Sequence, residues 1–228
     1  MANDLEKEAA ARASLKFVKD GQVVGLGTGS TAAYFIKLLA EQVERGLRVR
    51  GIPTSDRSRE LALSLGIPLT TLDECQEIAV TVDGADEVDP KLRLIKGGGG
   101  AMLREKIVAS ATRHLVIVAD ASKQVPVLGK FPLPLEVIPF AQALVAKRVA
   151  ALGASVSVRA GADGNPYVTD EKNHILDCRF GQIPDPDGLA QELSDMPGVV
   201  EHGLFIGMAS VVLFAKGSEI VELRRAGF

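Results

Sequence analysis

Two short apolar runs, at residues 78–82 and 92–95, stop abruptly: the first in Asp83-Gly84-Ala85-Asp86-Glu87, the second in Lys96-Gly97-Gly98-Gly99-Gly100. Their length and branching fit strands buried in a parallel sheet. In an open parallel sheet, ligands bind just beyond the carboxyl ends of the strands. The pattern therefore predicts an α/β chain in which two carboxylates, a lysine and four glycines collect where a small molecule sits. A third run, at 23–26, leads into Gly27-Thr28-Gly29-Ser30-Thr31 and adds a candidate anion cradle.

The rest of the chain supports that class. Leu5, Ala9, Ala13 and Phe17 recur at every fourth position, which predicts a helix over 4–19. Further helices are expected at 32–45, 58–65 and 101–113, and strands at 49–53 and 115–119; residues 67–72 read as a short strand or an extended connection. Ser30 or Thr31 fits the N-cap of the second helix. Beyond Lys130 the character changes. Pro132 and Pro134 read as a crossing segment, because proline is confined to sheet edges and bulges. Strands at 135–138, 154–159, 174–178 and 199–205, with helices at 140–152 and 187–195, give the order βαββαβ. The runs at 205–215 and 220–223 return to the first domain. The expected architecture is a Rossmann-like α/β domain with a mainly parallel sheet (1–130 and 206–228) and a smaller ferredoxin-like α+β domain (131–205).

Composition narrows the function classes. A formal net charge of −3 over 228 residues argues against a nucleic-acid surface, which needs clustered basic residues. An apolar share of 46 % is that of a globular protein. No apolar run approaches the ~20 residues of a membrane span, and the charged N-terminus lacks a signal-peptide core. A soluble cytoplasmic protein is expected. Cys75 and Cys178 form no CxxC pair, and His114, His174 and His202 share no metal-ligand spacing.

Four elements carry candidate chemistry. The loop after 23–26 has Gly25 and Gly27 of a dinucleotide fingerprint but Ser30 at its last position, and no P-loop string exists. What remains is a hydroxyl-rich loop sized for one phosphate rather than a pyrophosphate. Asp83 and Asp86 are open to three readings: a divalent metal helped by Glu87 or Asp89, turn caps, or proton handling. Lys96, the expected neighbour, disfavours a second cation. The four glycines carry an entropy cost of roughly 0.5–1 kcal/mol each relative to alanine, so something requires their bare backbone. Leu103, Ile107 and Ala111 form the expected core stripe, and Glu105 lies about 160–200° around the helix from Leu103 and Ile107. Its place in the first turns after the glycines is what lets it face the crevice.

Taken together, the strings GLGTGSTA, TVDGADE, IKGGGGAMLREK, VADASKQV and LGKFPLPLEVIPFA, followed by TDEKNHILD and MPGVVEHGLF, resemble ribose-5-phosphate isomerases of the A type over nearly the whole chain. Residues 54–58 form a loop that varies in that family, and Gly100 stands where alanine is common. The resemblance implies interconversion of ribose 5-phosphate and ribulose 5-phosphate through an enediol, without cofactor or metal, by a homo-oligomer (dimer or tetramer). It implies Glu105 as the base and Lys96 as the group that polarises the carbonyl oxygen. Asp83 and Asp86 would bind sugar hydroxyls and assist ring opening. Thr28, Gly29, Ser30 and Thr31 would hold the phosphate with Lys123 and Lys7, and Gly84, Ala85, Gly97, Gly98 and Gly99 would complete the substrate site. Three rivals are weaker. An NAD-dependent dehydrogenase lacks its third glycine, a sugar-phosphate-sensing regulator lacks its DNA-binding helices, and an amino-sugar phosphate deaminase lacks a well-placed histidine.

Overall fold

The computed structural model describes residues 2–217 and 219–227. The chain divides into two compact units, one of residues Met1–Ala85, Arg104–Lys123 and Met208–Phe228, the other of Asp86–Leu103 and Gln124–Gly207. The segment 131–205 expected as the small domain lies inside the second unit, which also takes in 86–103, 124–130 and 206–207.

The elements run in the order α1 (Ala2–Ser14), β1 (Val23–Leu26), α2 (Ser30–Glu44), β2 (Arg50–Pro53), α3 (Asp56–Ser64), β3 (Ile78–Asp83), β4 (Glu87–Val88), β5 (Leu94–Ile95), α4 (Met102–Ser110), β6 (Thr112–Asp120), β7 (Leu133–Val137), α5 (Gln142–Ala151), β8 (Ser155–Val158), β9 (His174–Arg179), α6 (Pro186–Ser194), β10 (Val199–His202), β11 (Leu204–Phe205), β12 (Ala209–Lys216) and β13 (Glu219–Arg224).

The first unit is a Rossmann-like α/β layer structure. Its sheet has the order β13-β12-β6-β3-β1-β2, parallel except for the edge strand β13. Strand order reverses between β1 and β3, the switch point at which such sheets open a crevice. Alternation along the strands sorts the side chains between two faces. Val24, Leu26, Val80, Val82, Val116 and Val118 pack with Ala10 and Ala11 of α1 and Phe35, Ile36 and Leu39 of α2. Val23, Ile52 and Ile78 meet Val108 of α4 on the opposite face. Helix α1 is shorter than expected: it gives way to a 3-10 turn at Leu15–Phe17, and Leu5 is exposed while Ala10, Ala11 and Ser14 are buried.

The second unit holds a four-stranded antiparallel sheet of order β10-β7-β9-β8, which is the ferredoxin-like arrangement of a βαββαβ unit. Pro134 lies within β7, an inner strand, against the expectation of a crossing segment. The ladder accommodates it because Pro134 meets β10 past the end of that strand, where its carbonyl accepts the Gly203 N–H (2.8 Å). The residues at 92–95 also depart from expectation. They form β5, antiparallel to β4 and to β11 in a separate three-stranded sheet. Only nine residues separate position 82 from 92, and a parallel crossover needs about a dozen.

Candidate active site

Because β1, β2, β3 and β6 are parallel, the loops that leave them share one edge of the first unit. Gly27 continues β1, its N–H donating to Val82 O (3.0 Å). Asp83 ends β3 and is 1 % exposed; its Oδ1 accepts the N–H groups of Thr28 (3.0 Å) and Gly84 (2.7 Å). One carboxylate oxygen thus ties the two loops together across the switch point. A Cβ on Gly27 would lie 2.3 Å from that oxygen and 2.6 Å from Asp83 Cα, so only a bare backbone fits.

Neither Ser30 nor Thr31 caps α2. The cap is Gly29, at φ +104° and ψ 176°, a backbone state open essentially to glycine alone, and no side chain bonds to the cap. The chain is helical from Ser30, and the first backbone bond runs from Ala33 N–H to Gly29 O (3.0 Å). First-turn amides without a capping side chain, at the positive end of a helix dipole, form a seat for an oxyanion. Ala85 follows Gly84 at the same edge, and β6 ends in Asp120, whose carboxylate accepts the Ser122 N–H (3.0 Å) in the turn that carries Lys123. Lys7 lies on α1, beside Glu6, which accepts the N–H of Gly217 just past β12 (2.7 Å). That contact brings the first turns of α1 to the β12 side of the edge.

Helix α4 leads into β6 and therefore runs against the strands, with its first turn at their carboxyl edge. Arg104 bonds Asp56, at the start of α3, at 2.8 Å and fixes that end. The stripe expected to be buried is not the one observed. Ile107 is 44 % exposed, whereas Met102, Glu105, Val108 and Ala109 are buried, Glu105 to 5 %. These positions are spaced as i, i+3, i+6 and i+7, so Glu105 stands on the core stripe itself and not opposite to it.

In the second unit, β4 and β5 form a tight hairpin. Asp89 holds its turn, Oδ1 accepting the N–H of Lys91 and of Arg93 (both 2.9 Å) and Oδ2 pairing with Arg93 Nε (2.6 Å). Glu87 is equally committed, accepting the N–H of Gly129 (2.7 Å) and of Phe131 (2.6 Å). The oxygens considered as extra metal ligands are thus engaged in folding the chain. Lys96 leaves β5 2 % exposed, with its Nζ 5.5 Å from the centroid of the Phe205 ring, a cation–π contact. The glycines then turn away. Gly97 and Gly100 have positive φ (103° and 82°), Gly98 and Gly99 are exposed, and the Asp86 carboxylate accepts the Gly98 N–H (2.7 Å). Arg159 donates to the carbonyls of Gly97 (2.8 Å) and Gly98 (3.3 Å).

The sequence-predicted residues are therefore distributed between two clusters. Thr28, Gly29, Ser30, Thr31, Asp83, Gly84, Ala85, Glu105, Lys123 and Lys7 belong to the first unit, and Asp86, Lys96, Gly97, Gly98 and Gly99 to the second. The chain passes between the units at four bonds, after Ala85, Leu103, Lys123 and Gly207. Four contributors, Thr54, Ser55, Phe205 and Arg159, lie outside the residues expected from sequence. The Thr28 hydroxyl bonds those of Thr54 (2.7 Å) and Ser55 (2.8 Å), and Ser55 closes a capping box with Ser58. A Ser-x-x-Ser string after a strand was the available signal. Phe205 and Arg159 carried none, since both act through pairings distant in sequence.

Comparison with known proteins places this arrangement in context. The family model described as Ribose 5-phosphate isomerase A (phosphoriboisomerase A) matches residues 50–219. The ribose-5-phosphate isomerase A of Parvibaculum lavamentivorans is 53 % identical over 97 % of this chain and 100 % of its own, and that of Rhodopseudomonas palustris 54 % over 98 % of each. Among solved structures, a D-ribose-5-phosphate isomerase in complex with phospho-erythronic acid superposes with a TM-score of 0.96 at 41 % identity, covering 99 % of this chain and 100 % of its own. The ribose 5-phosphate isomerase A of Methanocaldococcus jannaschii gives 0.91 at 43 % identity, covering 97 % and 98 %.

Proposed function

The chain belongs to the ribose 5-phosphate isomerase A family and interconverts ribose 5-phosphate and ribulose 5-phosphate; we propose that it does so by moving one proton between C2 and C1 through an enediol, with Glu105 as the base. The observation that carries this role is the placement of Glu105: a carboxylate on the buried stripe of a helix, in the turn that reaches the ligand-binding edge of the sheet. Proton abstraction from carbon needs a base of fixed orientation within hydrogen-bond reach of the C–H.

Negative charge develops on the substrate oxygens as the proton leaves. Lys96, held over Phe205, supplies the cation that stabilises it, and a preorganised donor of this kind is typically worth about 3–4 kcal/mol. Asp83 and Asp86 hold the sugar hydroxyls and take part in opening the ring. Both carboxylates are already oriented by backbone amides, so little order is lost when substrate arrives. The phosphate takes the first-turn amides and hydroxyls of Gly29, Ser30 and Thr31, on the loop that Thr28 anchors, with Lys123 and Lys7 contributing charge. Binding energy from the non-reacting phosphate aligns C1 and C2 with the base. The phospho-erythronic acid complex of the related isomerase supports this reading. A phosphorylated aldonic acid offers a phosphate and a planar carboxylate whose pair of oxygens resembles that of an enediolate.

Among the described residues no helix is long and apolar enough to cross a membrane, and we infer a cytoplasmic enzyme working as a homodimer or tetramer. Ile138, Phe140 and Leu144 support association, being exposed together where β7 leads into α5. Incubation with ribose 5-phosphate in D₂O tests the function. Ribulose 5-phosphate is expected, with deuterium at C1 to the extent that the proton held by Glu105 exchanges with solvent before it returns. Absence of ketose overturns the assignment.

A further inference from the structure

The glycine loop has no side chains with which to hold itself, yet the chemistry proposed above needs the residues on both sides of it fixed. Arg159 lies just after β8, with its own backbone pinned by Ile175 O (2.8 Å) on one side and the Tyr167 N–H (2.8 Å) on the other. Its guanidinium forks onto Asp177 of β9, Nε to Oδ2 at 3.0 Å and Nη2 to Oδ1 at 2.5 Å. Asp177 is itself fixed in the middle of the sheet, opposite Pro134 and Ser157. The remaining nitrogen, Nη1, bonds no side chain of the sheet; it donates to Gly97 O and Gly98 O.

In a trans peptide the carbonyl and the N–H point to opposite sides. The peptide joining Gly97 to Gly98 is therefore clamped at both ends, with the Arg159 cation on its oxygen and the Asp86 carboxylate on its N–H. A cation on a carbonyl polarises the peptide and strengthens its N–H as a donor. Asp177, Arg159, one peptide group and Asp86 thus form a chain of alternating charge and dipole that begins on a rigid strand and ends at a substrate-binding carboxylate.

We propose that Arg159, aligned by Asp177, is a positioning residue for the isomerisation: through the Gly97–Gly98 peptide it sets the orientation of Asp86 and of the loop that follows Lys96. The inference rests on the isomerase reading above. Arg159 touches neither substrate nor reacting atoms, so its loss misplaces groups without removing one. A misplacement of about 1 Å costs on the order of 10²-fold in rate. The Arg159→Met variant is expected to lose about 100-fold in kcat, with KM for ribose 5-phosphate within about threefold. Arg159→Ala is expected to regain part of that rate when guanidinium ion is added at concentrations below those that unfold the protein, because the free ion can occupy the vacated fork. A role in folding alone predicts no rescue, and a kcat that follows the folded fraction.

Should Arg159→Met not fold, Arg159→Lys decides. It retains the charge but not the planar fork that serves three acceptor groups, and it is expected to lose at least about tenfold in kcat. Wild-type kcat in the variant that folds, or absence of guanidinium rescue, overturns the proposal while leaving the isomerase reading intact, provided the wild-type protein turns over ribose 5-phosphate. An inactive wild-type protein overturns both.

Discussion

Gly27→Ala is the substitution whose consequence the structure fixes most tightly. A Cβ at this position would stand 2.3 Å from Asp83 Oδ1, 2.5 Å from its Cγ and 2.6 Å from its Cα. Ordinary contact begins at about 3.4 Å, so β1 and β3 must separate by most of an ångström at their carboxyl ends. Rotating the Asp83 side chain relieves the first two clashes but not the third, which is with backbone. Separation lengthens the Thr28 N–H bond to Asp83 and the Gly27 N–H bond to Val82, both 3.0 Å. Overpacking costs typically 1–3 kcal/mol, and a weakened bond to a charged group adds about 1.5–3 kcal/mol at most. For a protein of this size each kcal/mol lowers the melting temperature by about 2–4 °C, so a drop of roughly 5–24 °C is expected. The same movement shifts the phosphate loop relative to Asp83, and kcat/KM is expected to fall by on the order of 10²-fold. Thermal melting by circular dichroism and the initial rate of ribulose 5-phosphate formation measure the two effects. A variant that melts within 1–2 °C of wild type, with kcat/KM within about threefold, would falsify the close-approach argument.

Other substitutions separate stability from chemistry. In Gly98→Ala the atoms nearest the new Cβ all belong to the end of the Asp86 side chain, at 2.6–3.0 Å, so melting is expected to change little while kcat falls about tenfold or more; equal losses in both would show that the loop is structural. Lys123→Ala is expected to raise KM by about 10–100-fold, the equivalent of one charged hydrogen bond, with a smaller change in kcat; an unchanged KM removes Lys123 from the phosphate site. Burial pushes the carboxyl of Glu136 above its ordinary range, against the opposing bonds from Asn173 and Thr169. The folded protein therefore binds this proton more readily than the unfolded chain, and the contribution of Glu136 to stability falls as pH rises through the raised value. Glu136→Gln is expected to melt higher than wild type at pH 8, with an advantage that shrinks as the pH approaches the ordinary carboxylate range. An advantage independent of pH contradicts the assignment.

Much of the candidate site is readable from sequence because strand ends in a parallel sheet announce themselves. At 23–26 and 78–82 an apolar run meets residues that packing alone would not select, among them Thr28 and Asp83. The pairing of the next run was not readable, since local apolarity does not name a partner; the short connection to 92 was the clue that β5 turns back antiparallel. The face of α4 was misread because hydropathy assigns a glutamate to the outside. Ile107 looked buried and is exposed, while Glu105, expected to face the crevice from the side opposite the stripe, stands on the buried stripe itself. Pro134 entered an inner strand because its neighbour ends there, which only the ladder register reveals. Arg159 was invisible for a related reason: its partners, Gly97, Gly98 and Asp177, lie 62, 61 and 18 residues away.

The isomerisation depends most on what the carboxylate of Glu105 does to a carbon-bound proton. Steady-state kinetics of Glu105→Gln, an isosteric change that keeps size and polarity but removes the base, measures it directly. General-base catalysis contributes about 10²–10⁴-fold, so kcat is expected to fall by roughly that factor, with KM nearly unmoved and wash-in of solvent deuterium abolished alongside turnover. A Glu105→Gln protein that isomerises ribose 5-phosphate at close to the wild-type rate contradicts the mechanism.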